Sequence, residues 1–214
     1  IAFDSTRGVN KNLTVNSTDA EATVTTQVTA FNTDGFTMGS NNGANGSSDN
    51  LVAWQWKANG GTTTSVSASG AVNAGTHQAN TTAGFSIVTY TGEDNIGDTV
   101  THGLGAVPHV IIVKNRTTGA HWAMYHHKNT SAPETDRLLL SATNVTGDYD
   151  NYWSDTAPTS SVFTVGTNGD TGDADNYVAY CFTEIQGYSK FGSYEANGND
   201  DGPFIYTGFK PAWI

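Results

Sequence analysis

Apolar and polar residues alternate with a period of two along most of this 214-residue chain. That period is typical of β-strands, whose successive side chains point to opposite faces. It predicts strands at Val52–Lys57, Phe85–Tyr90, Trp122–His126, Arg137–Ser141, Ser161–Val165 and Tyr177–Thr183. His109–Lys114 is almost continuously apolar, which predicts a central strand buried on both faces. Helical periodicity is nearly absent, and we therefore predict an all-β fold.

The strand at residues 177–183 also predicts which of its faces is buried. Val178, Tyr180 and Phe182 are expected to point into the core, with Ala179 and Cys181 on the outer face. Turn sequences rich in Gly, Asn and Asp separate the strands by roughly ten to fifteen residues, a spacing that fits a β-sandwich or jelly roll. The architecture predicted from this pattern is a jelly-roll-like sandwich.

Two pairs of similar segments indicate a repeated unit. Asn50–Trp56 resembles Asn176–Phe182, and Gly105–Ile111 resembles Gly208–Ile214. The second pair is separated by roughly a hundred residues, which is the size of one β-sandwich domain. We therefore predict tandem repeats. Residues 1–82 are the second half of a repeat with a Gly/Thr/Ser-rich connection, 83–187 are one complete repeat, and 188–214 are the first part of another.

Incomplete repeats at both ends have two interpretations. The chain is either a fragment of a longer array, or the subunit of a head-to-tail polymer. In the polymer, residues 188–214 of one chain would supply strands that the half at residues 1–61 of another chain lacks. Strand addition of this kind satisfies an open sheet edge with backbone hydrogen bonds. Self-association, or contact with neighbouring repeats, is the expected partnership.

Composition narrows the class of protein. The formal net charge is −11, with only nine Lys and Arg, so a nucleic-acid partner is not expected. No apolar run approaches the roughly 20 residues that a bilayer-spanning helix needs, so membrane insertion is not expected either. Only 14% of residues are charged, and the surface must be polar mainly through Thr, Asn, Ser and Gly. Such surfaces are typical of extracellular and virion β-proteins, and we predict one of those locations.

One acidic loop predicts a weak calcium site. Asp170, Asp173 and Asp175 lie in a Gly-containing loop, and Ca²⁺ prefers six to eight oxygen ligands from such loops. The matching loop of the other repeat, residues 41–50, retains only Asp49. A solvated turn is therefore the alternative, and no other cofactor is expected.

An aromatic and acidic loop is the candidate glycan-binding site. Asp148, Tyr149, Tyr152 and Trp153 could stack on sugar rings and hydrogen-bond their hydroxyl groups. The alternative is a hydrophobic plug that closes one end of the sandwich. Exposure of Tyr152 or Trp153 would favour the glycan interpretation.

The remaining chemistry-bearing residues do not predict a catalytic site. His126 and His127 are adjacent on a strand and so point to opposite faces, and His121 lies far from His127 along that strand. Cys181 fits a small apolar position. Glu184 follows a strand, but no second carboxylate is evident as its partner, as glycoside cleavage would require. No nucleophile elbow, phosphate loop or zinc motif is present. We predict that the protein is not an enzyme.

Three segments carry a resemblance to a known class of proteins. Gly84–Gly92, His102–Gly105 and Pro108–Lys114 resemble repeat domains of tail-fibre and other virion proteins of marine bacteriophages. Phe36–Gly39 and Val52–Lys57 are similar to the closing strands of those repeats. The resemblance implies a structural component of a virion fibre, with a role in host attachment. The alternatives are a repeat unit of a bacterial adhesin or extracellular filament, and a glycan-binding module.

Overall fold

The computed structural model describes all 214 residues and is built almost entirely from β-strands. The strands are β1 (Lys11–Asn12), β2 (Ala22–Thr23), β3 (Val28–Phe31), β4 (Phe36–Met38), β5 (Thr64–Val66), β6 (Gly75–Asn80), β7 (Phe85–Thr91), β8 (Asp98–Thr101), β9 (Val110–Asn115), β10 (Trp122–His126), β11 (Asp136–Leu139), β12 (Gly147–Asp148), β13 (Val162–Val165) and β14 (Asn176–Phe182). Two helices of four residues each, α1 (Asn42–Asn45) and α2 (Asp150–Trp153), and a 3-10 turn at Pro133–Thr135 complete the chain. The all-β prediction is confirmed. Neither helix has the length and apolar character to cross a membrane.

One antiparallel sheet of eight strands organises the molecule. Its order is β12-β11-β10-β9-β14-β7-β6-β5. β14 pairs along its whole length with β7 on one side and β9 on the other. The continuously apolar segment at residues 109–114 therefore forms a central strand, as predicted.

The first face of this sheet carries the larger core. β8 and β13 form a separate antiparallel pair, which covers this face together with α2. Val100, Phe163 and Val165 from the pair pack with Tyr177 and Ala179 of β14 in one cluster of 16 buried residues. Burial of aromatic and β-branched side chains between two β layers is the main stabilising term of such an arrangement.

The second face of the sheet is covered by the N-terminal residues. Leu13 packs there with Phe85, Trp122 and Val178. Because both faces are covered, Cys181 and its neighbour Ala179 on the first face are as inaccessible as Val178 on the second. The expectation that Ala179 and Cys181 lie on an outer face is therefore wrong.

Buried polar contacts fasten the N-terminal segment to the sheet. The Arg7 guanidinium donates to the Asp4 carboxylate and, at 2.9 Å, to Glu21, while the Tyr180 hydroxyl donates to Asp4 at 2.7 Å. Glu21 also accepts two hydrogen bonds from Arg116, at 2.9 and 3.0 Å. Buried charges are tolerated when they are paired and hydrogen-bonded in this way.

The two similar segments have different surroundings in the structure. Asn176–Phe182 is the central strand β14, whereas Asn50–Trp56 forms no strand and is exposed. In addition, β6 pairs with β7, so the main sheet extends across the position where the sequence predicted a boundary after residue 82. The structure thus has antiparallel sheets, and the finer prediction of tandem sandwich repeats is not confirmed by it.

Candidate functional site

Three chemistry-bearing side chains meet where neighbouring strands of the main sheet end. His127 follows β10, His109 precedes β9, and Glu184 lies just beyond β14. The sheet order places these three strands side by side, and backbone hydrogen bonds from His127 to His109 and from His109 to Phe182 hold the strand ends in register. One ligand-type atom from each side chain lies within 4.8 Å of the others. A cluster of three metal-ligand residue types is therefore present.

The polar atoms of this cluster already have protein partners. The Glu184 carboxylate accepts from the backbone N–H of Phe191 at 2.9 Å and from the Lys190 ammonium at 3.1 Å. The His127 Nε2 lies 2.8 Å from the carbonyl oxygen of Phe191 and 4.0 Å from Glu184. A bound cation would have to displace these contacts and would lie beside the Lys190 charge. The cluster therefore acts in the structure as an anchor for the turn at residues 184–191.

Electrostatics in the cluster favour neutral histidine beside ionised glutamate. Burial lowers the pKa of His109, and the nearby His127 lowers it further. Burial alone would raise the pKa of Glu184, but the hydrogen bond from Phe191 and the interaction with Lys190 lower it overall. The carboxylate can therefore retain its turn-anchoring contacts when the solution is made mildly acidic.

The acidic loop uses its carboxylates separately. Asp170 is buried and accepts from the backbone N–H of His121 at 2.6 Å and from the Tyr152 hydroxyl at 2.7 Å. Asp175 accepts from Asn115 and Thr118, both at 2.9 Å. Asp173 is exposed. The three residues are not a group whose ligand atoms converge, and Asp170 and Asp175 hold loops to the sheet.

The aromatic loop is divided between the core and the surface. Tyr152 and Trp153 are only 3% and 2% exposed, so neither ring can stack on a sugar. The Trp153 indole donates to the carbonyl oxygen of Asp136 at 3.0 Å and packs edge-on against Tyr125. This is the plug that the sequence left as the alternative, and it arises because α2 turns both rings toward β11 and the β8–β13 pair.

Asp148 and Tyr149 are the two glycan candidates that remain at the surface. Tyr149 is 43% exposed, but the Arg137 guanidinium lies 4.2 Å from the centre of its ring. Such a cation–π contact occupies one aromatic face. The four predicted glycan residues therefore do not form one accessible platform.

Two segments far apart in sequence carry many exposed apolar side chains. We define the exposed aromatic surface as Leu51–Lys57 together with Pro203–Ile214. Its large apolar side chains are between 45% and 103% exposed: Leu51, Val52, Trp54, Trp56, Phe204, Ile205, Tyr206, Trp213 and Ile214. The ring centres of Trp54 and Trp56 each lie 6.3 Å from that of Trp213, so the two segments meet. Exposed apolar patches of this kind mark sites of association.

The sequence indicates parts of these sites but not their assembly. His127 and Glu184 are each conspicuous alone, and His109 stands out only as a strand residue. The signal that could join them is their common position at strand ends, but using it requires the order β10-β9-β14. That order depends on long-range pairing, which local patterns do not reveal.

One protein-family model matches the whole chain. The model described as "Domain of unknown function (DUF7483)" matches residues 1–214. The chain belongs to the DUF7483 family. No curated protein and no solved structure matches it. The family description assigns no activity to its members, so the function has to be inferred from the geometry of the chain itself.

Proposed function

We propose that this DUF7483 chain is a non-enzymatic structural component of an extracellular or virion fibre built from repeated β units. A bacteriophage tail fibre with a role in host attachment is the form that the sequence resemblance favours, and a bacterial adhesin or extracellular filament is the close alternative. The observation that carries the proposal is the exposed aromatic surface. A protein that works alone in solution has little reason to expose so many large apolar side chains.

The roles of the polar residues agree with a scaffold. The Cys181 thiol is completely buried, and burial raises its pKa well above the ordinary value, so it is not a ready nucleophile. Asp170, Asp175 and Glu184 are engaged in contacts that fasten loops and turns. Calcium binding at the acidic loop would need Asp170 and Asp175 to leave their present partners, so we do not include Ca²⁺ in the proposal.

Electron microscopy of the native material tests this function. The expected result is elongated particles or fibres in which the chain is a periodic component. Isolated globular particles in the native source, with the chain present and intact, would contradict a fibre role.

Carbohydrate recognition is the second candidate, and one observation favours it. Trp54, Trp56 and Trp213 place three partly exposed indoles close together, and flat aromatic faces of this kind can stack on sugar rings. A glycan array probed with the soluble chain discriminates between the candidates. Binding that disappears in a Trp54→Ala variant would favour the glycan module, and an array without signal would favour the scaffold.

A further inference from the structure

We propose that the exposed aromatic surface is a strand-exchange interface between copies of this chain, in which Pro203–Ile214 of one copy packs against Leu51–Lys57 of another and pairs with it through its last residues. This inference names the partner within the proposed fibre function and therefore rests on it. It assigns the two segments different parts: Leu51–Lys57 accepts a strand, and Pro203–Ile214 donates one. Each copy thus carries one acceptor and one donor.

The two segments correspond in sequence to strands at the centre of the main sheet. Asn50–Trp56 has the sequence pattern of Asn176–Phe182, which is β14. Gly208–Ile214 has the pattern of Gly105–Ile111, which leads into β9, and β9 is hydrogen-bonded to β14. The acceptor and donor therefore resemble two strands that are neighbours in the sheet.

Neither segment forms a backbone ladder in the structure. No backbone-to-backbone hydrogen bond involves residues 50–57 or 203–214. The rings of Trp56 and Trp213 approach each other within one chain, yet they remain 46% and 65% exposed and no ladder forms between the segments. Contact within one chain thus leaves the apolar surface largely uncovered, and a second copy can cover it.

The exposed area is divided between two interfaces, because each copy meets one partner through its acceptor and another through its donor. Five aromatic side chains of the surface are about half to nine-tenths exposed: Trp54, Trp56, Phe204, Tyr206 and Trp213. At roughly 200 Å² for each ring system, the acceptor rings Trp54 and Trp56 offer on the order of 200 Å², and the donor rings Phe204, Tyr206 and Trp213 on the order of 450 Å². A standard stable interface buries about 800 Å² on each partner. The exposed rings thus supply part of such an interface, and the remaining area has to come from Leu51, Val52 and the backbone.

The correspondence also fixes the register of the exchanged strands. In the main sheet, Phe182 lies opposite Val110 and Cys181 opposite Ile111. The equivalent positions place Trp56 opposite Trp213 and Gln55 opposite Ile214, so the backbone ladder forms between the ends of the two segments. Side chains directly opposite each other in antiparallel strands have Cβ atoms about 4.5–5.5 Å apart, within reach of a disulfide after modest adjustment.

A mixing experiment with two variants tests the exchange. Trp54→Lys damages the acceptor and leaves the donor intact, whereas Trp213→Lys damages the donor and leaves the acceptor intact. We expect the unmodified chain to form concentration-dependent oligomers in light scattering after size exclusion, and each variant alone to be monomeric. An equimolar mixture should form dimers, because one intact acceptor then meets one intact donor. Each substitution should weaken association by roughly 30-fold or more, as expected for an interface tryptophan.

The controls distinguish strand exchange from nonspecific apolar association and from unfolding. Val145→Lys alters an 86% exposed apolar residue outside the surface and should leave association unchanged. All three substituted positions are solvent-exposed, so the melting temperature of the fold should stay close to that of the unmodified chain. In a mixture of Gln55→Cys and Ile214→Cys chains, oxidation should form a disulfide between the two, whereas Gln55→Cys with Lys210→Cys should not.

Three outcomes would overturn the inference. They are a monomeric unmodified chain at every concentration, a mixture that stays monomeric, and variants that associate as strongly as the unmodified chain. If the native material is fibrous while any of these holds, the proposed function stands and only the strand exchange is wrong. If the native material is globular but the mixture forms dimers, the exchange stands and the fibre role is wrong.

Discussion

Removal of the Trp153 ring provides a direct test of the plug in the aromatic loop. Trp153 is 2% exposed, its indole donates to the Asp136 carbonyl oxygen at 3.0 Å, and its ring packs against Tyr125. Truncation of a buried Trp to Ala removes apolar burial and leaves a cavity, which together cost about 3–5 kcal/mol. The substitution also removes the hydrogen-bond donor of the Asp136 carbonyl oxygen. We therefore expect the loss of unfolding free energy in Trp153→Ala to lie in the upper part of this range.

Equilibrium unfolding in urea measures this cost, and Tyr149→Ala is the matched control. Tyr149 lies four residues earlier in the same loop, but it is 43% exposed and its main contact is with Arg137. Its removal should cost no more than about 1 kcal/mol, as for an exposed cation–π pair. In thermal unfolding, Trp153→Ala should lower the midpoint by roughly 10 °C in a chain of this size.

A small effect at Trp153 would contradict a core position for its ring. If Trp153→Ala changed the free energy of unfolding by less than about 1 kcal/mol, the ring could not be a core residue. Equal effects of Trp153→Ala and Tyr149→Ala would also contradict the division of the loop between core and surface. The slope of unfolding free energy against urea concentration should stay unchanged in Trp153→Ala, because the substitution leaves the compactness of the folded and unfolded states unaltered.

Two further predictions concern charge and backbone. Burial alone would raise the pKa of Glu21, but the hydrogen bonds from Arg116 and Arg7 lower it overall. The ionised Glu21 carboxylate therefore stabilises the fold at pH values above its unfolded pKa of about 4.3. This stabilisation is lost as the pH falls through the lower pKa of the folded state. Glu21→Gln should therefore reduce stability at pH 7 and flatten the acid limb of the stability profile, and an unchanged acid limb would contradict this. Gly84 and Gly105 both have positive φ, but an added Cβ at Gly84 would lie 2.5 Å from the Thr183 carbonyl oxygen and at Gly105 would meet nothing. Gly84→Ala should therefore cost clearly more than the roughly 1 kcal/mol expected for Gly105→Ala in chemical denaturation, and equal costs would show that the close approach is unimportant.

The sequence predicted strands well where their pattern was matched by partners. Trp122–His126 coincides with β10, and Phe85–Tyr90 lies within β7. The pattern at Asn50–Trp56 is just as strong but forms no strand, because a strand needs neighbours to satisfy its backbone and cover its faces. Alternation of apolar and polar residues therefore shows that a segment can form a strand, but it does not show that a neighbouring strand is available to pair with it.

The candidate sites depended even more on long-range structure. Asp170 appeared as one of three loop carboxylates, but the fold buries it beneath Tyr152 as an acceptor for two donors. Tyr152 and Trp153 fitted both a binding platform and a plug, since aromatic residues serve both purposes. Only the placement of α2 against the sheet decides between these interpretations, and no local pattern encodes that placement.

The two outermost strands of the main sheet limit backbone pairing at its edges. β5 has three residues and β12 has two, so each sheet margin offers only a short unpaired ladder. Short edge strands discourage edge-to-edge aggregation of sheets. Edge-to-edge pairing with another sheet would therefore involve only a few backbone hydrogen bonds.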